Sequence, residues 1–175
     1  AYTRGAGVDA RWAVIGGDPA FFEVTKRIHN HLHGAPGDGG ELGPEQRDAY
    51  ERNLAEPGAD LARRVRPGDV VFLHDPQTAG MVAPLRAAGA VVIWRCHVGL
   101  DTPNDIARGA WDFLRPYVES ADAFVFSRRS FVWEALDPDR IWLVAPSIDA
   151  FSPKNQAMGA AAVDSILARI GLREG

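Results

Sequence analysis

The sequence predicts an α/β fold, a doubly wound parallel sheet of the Rossmann-like kind, in one principal domain. Three observations carry that reading. Residues 70–73 and 91–94 are uninterrupted apolar runs of strand length, which suits strands covered on both faces by helices. A unit of strand, polar cap with proline, helix and strand recurs along the chain, and such alternation builds a parallel sheet with right-handed crossovers. With 175 residues and 46% apolar composition, the chain is long enough to bury one sizeable core.

Taken in order, residues 1–7 read as the tail of a helix stopped by Gly7, and 10–15 as a strand ending at Gly16 and Gly17. Asp18 and Pro19 are the N-cap and first-turn proline of a helix running to Leu32. Residues 34–43 are too rich in glycine for regular structure, and read either as an active-site flap or as slack. Residues 44–65 carry a helical pattern interrupted at Glu56, Pro57 and Gly58, so two helices or one broken helix are expected.

A turn at 66–69 feeds a strand that ends at His74. Residues 77–88 then read as a helix stopped by Gly89, and 90–96 as the next strand. Thr102 and Pro103 open a helix to Val118, with Asp105 in its first turn and a bend or stop near Pro116. Residues 123–126 are a short strand, 130–135 a short helix and 141–145 a further strand. Ser152 and Pro153 repeat the cap-and-proline device, and 158–172 is a helix with Val163, Ile166, Leu167 and Ile170 on one face. Trp94, Trp111, Trp133 and Trp142 fall in apolar patterns and read as core. Residues 1–156 are expected to form the Rossmann-like domain, and 157–175 a C-terminal helix or linker.

Composition narrows the function classes. A net charge of −4 with scattered basic residues points to neither nucleic acid nor an anionic membrane surface. The single cysteine, Cys96, excludes an internal disulfide framework and suits a reducing, cytoplasmic setting. No apolar run has the length to cross a bilayer and no secretory leader is recognisable. The chain opens on Ala1 rather than Met, so a natural N-terminus is expected upstream. There is no dinucleotide fingerprint, phosphate-binding loop or nucleophile elbow, and no cofactor is expected. His29 and His33 share a helix face near His31, but no Cys or carboxylate spacing completes a ligand set, and no metal is expected.

The chemistry-bearing residues sit where the two apolar strands end. If those strands are parallel neighbours, His74 and His97 emerge at the carboxyl edge of one sheet, where open α/β sheets hold ligands. Asp75 has two readings. An Asp before Pro at a helix start is an ordinary N-cap, and on that account it has no further role. The other reading groups it with His74, His97, Gln77, Asp101 and Asn104 as a set of donors and acceptors matched to the hydroxyls of a sugar. Arg128 and Arg129 follow another strand end and suit either a phosphate or carboxylate, or a plain surface pair at a helix start.

Five segments in order, residues 14–30 (VIGGDPAFFEVTKRIHN), 68–80 (GDVVFLHDPQTAG), 94–99 (WRCHVG), 111–117 (WDFLRPY) and 146–156 (PSIDAFSPKNQ), resemble the trehalose synthases of the glycosyl-transferring type. That family belongs to the retaining GT-B glycosyltransferases, glycosyltransferase family 4, and is related to the trehalose phosphorylases. The resemblance covers residues 7–156 and implies the N-terminal half of a GT-B enzyme, which joins glucose from a nucleoside-diphosphate glucose to free glucose. It implies that a first strand and glycine-rich loop, and a C-terminal nucleotide-binding domain, lie outside this chain. The His-Asp pair at one strand end and the later His are also similar to the pattern in trehalose-phosphate synthases. Carried over, this gives Asp75 an acceptor role and His97 a donor-glucose role as the catalytic pair, with His74 and Gln77 beside them in the acceptor pocket.

The chemistry implied is front-side displacement with retention, which needs no flanking carboxylate pair of the glycosidase kind. On this reading the chain alone is inactive, and its partners are glucose, the nucleotide sugar and the remaining domain. Whether the parent is a homodimer stays open. Two alternatives stand beside it: a trehalose phosphorylase using glucose 1-phosphate, and a non-catalytic sugar-binding or interaction module.

Overall fold

The computed structural model describes residues 2–149, 152, 155 and 157–172. It divides into two compact units, Ala1–Ala145 and Pro146–Gly175. In the first, helix α1 (Tyr2–Gly5), α2 (Pro19–Leu32) and α3 (Pro44–Arg64) precede strand β1 (Val70–His74). Helix α4 (Val82–Ala87), β2 (Val91–Cys96), α5 (Asp105–Val118), β3 (Ala123–Phe126) and β4 (Ile141–Leu143) follow. The sheet is wholly parallel in the order β1-β2-β3-β4, which is the α/β architecture the alternating pattern predicts. The second unit carries α6 (Ala160–Arg169), within which no side chain is buried, and Ile166 stays exposed. Of the cap and proline expected at residues 152 and 153, Pro153 lies outside the described residues. Among the described residues no helix is long and apolar enough to cross a membrane.

The core lies between one face of the sheet and the helices. In-register neighbours Leu73, Trp94 and Phe124 share that face and are almost fully buried. Trp94 meets Trp133 edge-on with ring centroids 5.2 Å apart, and Trp133 stacks on Trp111 at 6.0 Å. Aromatic pairs at such separations add to the burial of their area. Tyr50 of α3 is buried; its hydroxyl donates to the Pro76 carbonyl at 2.6 Å and accepts from the Gly80 N–H at 3.0 Å.

Several expected elements differ, each for a physical reason. Strand β1 is not covered on both faces: Val70 and Phe72 remain 57% and 54% exposed, on the face opposite Leu73. Trp142 lies in the short terminal strand β4 and is 64% exposed, not core. Residues 10–15 form no strand. Trp12 and Val14 are each 82% exposed, so the run has no buried apolar face of the kind that holds a strand in a sheet. Conversely, α3 runs through Pro57 without a break, and Gly58 lies against Pro84 and Met81, so packing overrides the local breaker.

The helix expected over 77–88 begins as a 3₁₀ helix, Pro76–Met81, before α4. Tyr50 draws the Gly80 N–H out of an α-helical ladder, which favours the tighter turn. Helix α5 starts at Asp105 with Asn104 as its cap, not at Thr102. The helix expected over 130–135 is only a 3₁₀ turn, Arg129–Phe131, and the strand over 141–145 ends at Leu143.

The glycine-rich loop is neither slack nor free. Arg27, buried on α2, donates to both carboxylate oxygens of Asp38 at 2.8 Å and to the Glu41 carbonyl at 2.9 Å. Hydrogen bonding from Arg27 holds the Asp38 carboxyl far below its usual range.

Tyr50→Phe keeps the ring and removes both hydroxyl bonds, leaving the Pro76 carbonyl and the Gly80 N–H without their partner. The variant is expected to be less stable by about 1–3 kcal/mol in urea unfolding, with an unchanged slope.

Candidate functional site

Because β1 and β2 are parallel and in register, His74 opposite Arg95, both chains leave the sheet at the same edge. The pairing extends one residue beyond β1, where the Asp75 N–H donates to the Arg95 carbonyl at 2.7 Å. At Asp75 the backbone then takes φ +61° and ψ 179°, the only positive φ outside glycine among the described residues. That region is essentially reserved for glycine, and holding an Asp there costs about 1–3 kcal/mol.

What offsets the strain is visible. The Asp75 carbonyl accepts from the Trp94 indole N–H at 3.1 Å and from the Thr78 hydroxyl at 3.3 Å. Its carboxylate makes no capping hydrogen bond to the 3₁₀ helix. Instead it accepts from the His97 backbone N–H at 2.9 Å and faces His97 Nδ1 at 3.0 and 3.1 Å. The N-cap reading of Asp75 is therefore overturned, because the carboxylate is turned back across the sheet edge onto β2. A carboxylate only accepts, so Nδ1 carries the proton toward Asp75 and Nε2 is left for another partner.

His74 stacks on His97, with centroids 5.8 Å apart and an interplanar angle of 16°, and Trp12 lies beside His74 at 6.1 Å. Burial, and then His97, lowers the pKa of His74 and favours its neutral ring. His74, Asp75 and His97 thus come together as the sequence suggested, exposed enough to meet a solute.

The remaining candidates separate into two groups. Asp101 and Arg128 find each other: the guanidinium donates to the carboxylate at 3.1 and 3.2 Å, and the Ser130 hydroxyl adds a bond at 2.6 Å. Arg128 also lies over the Phe131 ring at 5.5 Å. Asn104 is occupied structurally. Its oxygen caps α5 through the Ala107 N–H at 3.0 Å, and its amide donates to the Gly34 carbonyl at 2.9 Å, tying the glycine-rich loop to α5. Gly34 itself has φ +74°, and a Cβ there would lie 2.5 Å from Leu100, so only glycine suits this junction. Gln77 is half-buried in the 3₁₀ helix that Asp75 precedes.

Sequence reasoning missed Trp12, read as part of a strand, and Ser130, which had no signal beyond its position after a strand end. Burial lowers the pKa of His29, followed by the effect of His33, while Asp75 acts on it in the opposite sense. Among the described residues no three His, Cys, Asp or Glu side chains are placed to hold a metal ion. Two surface grooves, one between Gly16 and Pro57 and one between Glu23 and Asp38, contain none of the strand-end residues.

The class defined by this arrangement is an α/β domain whose polar site lies at the carboxyl edge of a parallel sheet. Comparison makes the assignment particular: the family described as trehalose synthase, N-terminal domain, matches residues 1–133, and the chain belongs to it. It is 37% identical over 172 residues to the trehalose synthase of Rubrobacter xylanophilus, covering 97% of this chain and 40% of that protein. A trehalose phosphorylase of Pleurotus sajor-caju is 29% identical over 132 residues, 67% of this chain and 17% of that protein. An α,α-trehalose 6-phosphate synthase structure from Burkholderia multivorans aligns with a TM-score of 0.49 at 21% identity, covering 65% of this chain and 26% of that one. The chain thus spans well under half of the relatives it matches.

Two outcomes test this geometry. Asp75→Gly and Asp75→Ala lose the same carboxylate contacts, but only the alanine keeps a Cβ in the strained conformation. The alanine variant is expected to be less stable than the glycine variant by about 1 kcal/mol in urea unfolding. Second, His29 and His74 have folded pKa values below the unfolded value of about 6.5, so their stabilising effect is complete above that pH. It is lost as pH falls through the folded values. The urea midpoint should decline from pH 7 to 5, and less steeply in the His29→Gln, His74→Gln double variant.

Proposed function

We propose that residues 1–156 are the acceptor-side domain of a retaining GT-B glycosyltransferase, which transfers glucose from a nucleoside-diphosphate glucose to glucose and forms trehalose. The observation that carries this reading is Asp75, strained and released from capping so that its carboxylate clamps His97. Strain of this kind collects where geometry serves a ligand. Family membership supports the reaction class, and the share of the relatives' length that this chain spans supports a further, nucleotide-binding domain elsewhere in the enzyme.

In this reading Asp75 accepts a hydrogen bond from an acceptor hydroxyl, and His97, oriented through Nδ1, presents Nε2 to the donor glucose. His74 and Gln77 line the acceptor side, with Asp101 and Arg128 nearby as a pair. The bond from the anomeric carbon to the diphosphate oxygen breaks, and the bond to the acceptor oxygen forms on the same face. The acceptor proton passes to the departing phosphate. The protein positions the two sugars and stabilises developing charge, so the absence of a flanking carboxylate pair is consistent with the chemistry. Residues 157–175 serve as the helix and linker toward the other domain, and the enzyme works in the cytoplasm.

Similarity to a trehalose phosphorylase favours one second reading, in which glucose 1-phosphate replaces the nucleotide sugar. Assaying the intact enzyme with each donor decides between them. Trehalose is expected from nucleoside-diphosphate glucose, with activity lowered at least 100-fold by Asp75→Ala or His97→Ala, on the order expected for lost transition-state positioning. Turnover of glucose 1-phosphate alone would establish the phosphorylase, and trehalose made by residues 1–175 without the rest would remove the need for a second domain.

A further inference from the structure

We propose that the face of the sheet opposite the core is a docking surface for an amphipathic helix of the same enzyme, from outside these 175 residues, and that a carboxylate in the first turns of that helix pairs with Arg95. Which glucosyl donor the enzyme uses does not bear on this surface.

In β2, Arg95 alternates with Trp94 and Cys96, both buried in the core, so its side chain belongs to the other face. There it stands in one row across the sheet, in register with His74, Val125 and Trp142. The rows before it are apolar: Phe72 pairs with Ile93 and Val70 with Val91, and Phe72, Val70 and Val91 are exposed. Arg95 is the one Lys or Arg in the four strands, and none of them carries an acid. Among the described residues its half-buried guanidinium makes no hydrogen bond or ion pair, and its Nε is already buried without a partner. A cation drawn partly out of water on an apolar floor calls for an acid to complete it.

Parallel sheets are covered on both faces because their crossover connections lay helices there. From Val70 to His74 the floor runs about 13 Å, the length of about nine helical residues. A crossover helix runs back against the strand direction, so its N-terminus overlies the carboxyl edge, where Arg95 stands one residue from the end of β2. Acidic side chains are favoured in that first turn by the helix dipole, so charge and direction agree. A second copy of this chain does not fit, because its matching face brings another Arg95 and no acid, and sets cation against cation. The intact enzyme has length for such a helix: the alignment to the Rubrobacter xylanophilus relative covers only 40% of that protein.

The test uses the intact enzyme that contains this chain. Phe72 is replaced by the photo-cross-linker p-benzoylphenylalanine, which keeps an aromatic ring on the floor, and the irradiated enzyme is examined on a denaturing gel and by peptide mass spectrometry. The expected product keeps the mass of one chain and joins position 72 to a helix outside residues 1–175 with Asp or Glu in its first two turns. A product of twice the mass, a link to another protein or to residues 1–175, or no link at all overturns the proposal. Arg95→Met is expected to lower the melting temperature by about 5 °C or more, because it leaves the covering carboxylate unpaired. Arg95→Glu should lower it further, and changing the acid of the cross-linked helix to Arg in that background should recover at least half of the loss. A melting temperature that Arg95→Met leaves unchanged or raises, or a charge exchange that recovers nothing, overturns the pairing. So does inorganic phosphate that raises the melting temperature of the wild type but not of Arg95→Met, which would make the ligand a small anion.

Discussion

The contact between the Asp75 carboxylate and His97 joins the ends of two neighbouring strands, and much of the surrounding structure serves to make it possible. Asp75 must leave β1 in a conformation that disfavours any side chain. It is held there by bonds to Arg95 and Trp94 from β2, and to Thr78 from the helix that follows. Charge-assisted hydrogen bonds to a carboxylate contribute about 1.5–3 kcal/mol each, enough for the His97 contacts to offset the backbone strain. The carboxylate is thereby fixed in direction before any ligand arrives.

Trp94 couples this edge to the core. Its ring is sealed among Trp133 and Phe126, while its indole N–H reaches the Asp75 carbonyl. Packing of the hydrophobic layer and placement of the polar site are therefore one problem, because shifting the ring withdraws a bond from the strained residue. Tyr50 does the same from the helix side, binding Pro76 and Gly80 and setting the pitch of the turn after Asp75. Beyond these anchors, Arg27 fixes the glycine-rich loop and Asn104 ties its start to α5. A loop with this much glycine would be costly to order without such ties.

The resulting site has directional donors and acceptors but no concentrated charge. Asp101 and Arg128 pair with each other, and burial favours a neutral His74. Such a surface suits a neutral, hydroxyl-rich ligand better than a free anion.

The sequence by itself determined the strands β1, β2 and β3, helices α2 and α5, and the meeting of His74 and His97 at one edge. These follow from local apolar runs, caps and the parallel geometry that alternation requires. It could not determine the rest, because the deciding partners are distant in the chain. Residues 10–15 have a strand's apolar content, yet Trp12 and Val14 stay exposed and the segment is not part of the sheet. The turn at Gly80 depends on a hydroxyl 30 residues away, and Asp101 finds Arg128 across 27 positions. Asp75 is the clearest case. A capping aspartate and a ligand-facing aspartate are the same letter before the same proline, and the backbone dihedral that separates them is set by the contacts with β2. Only the tertiary structure decided it.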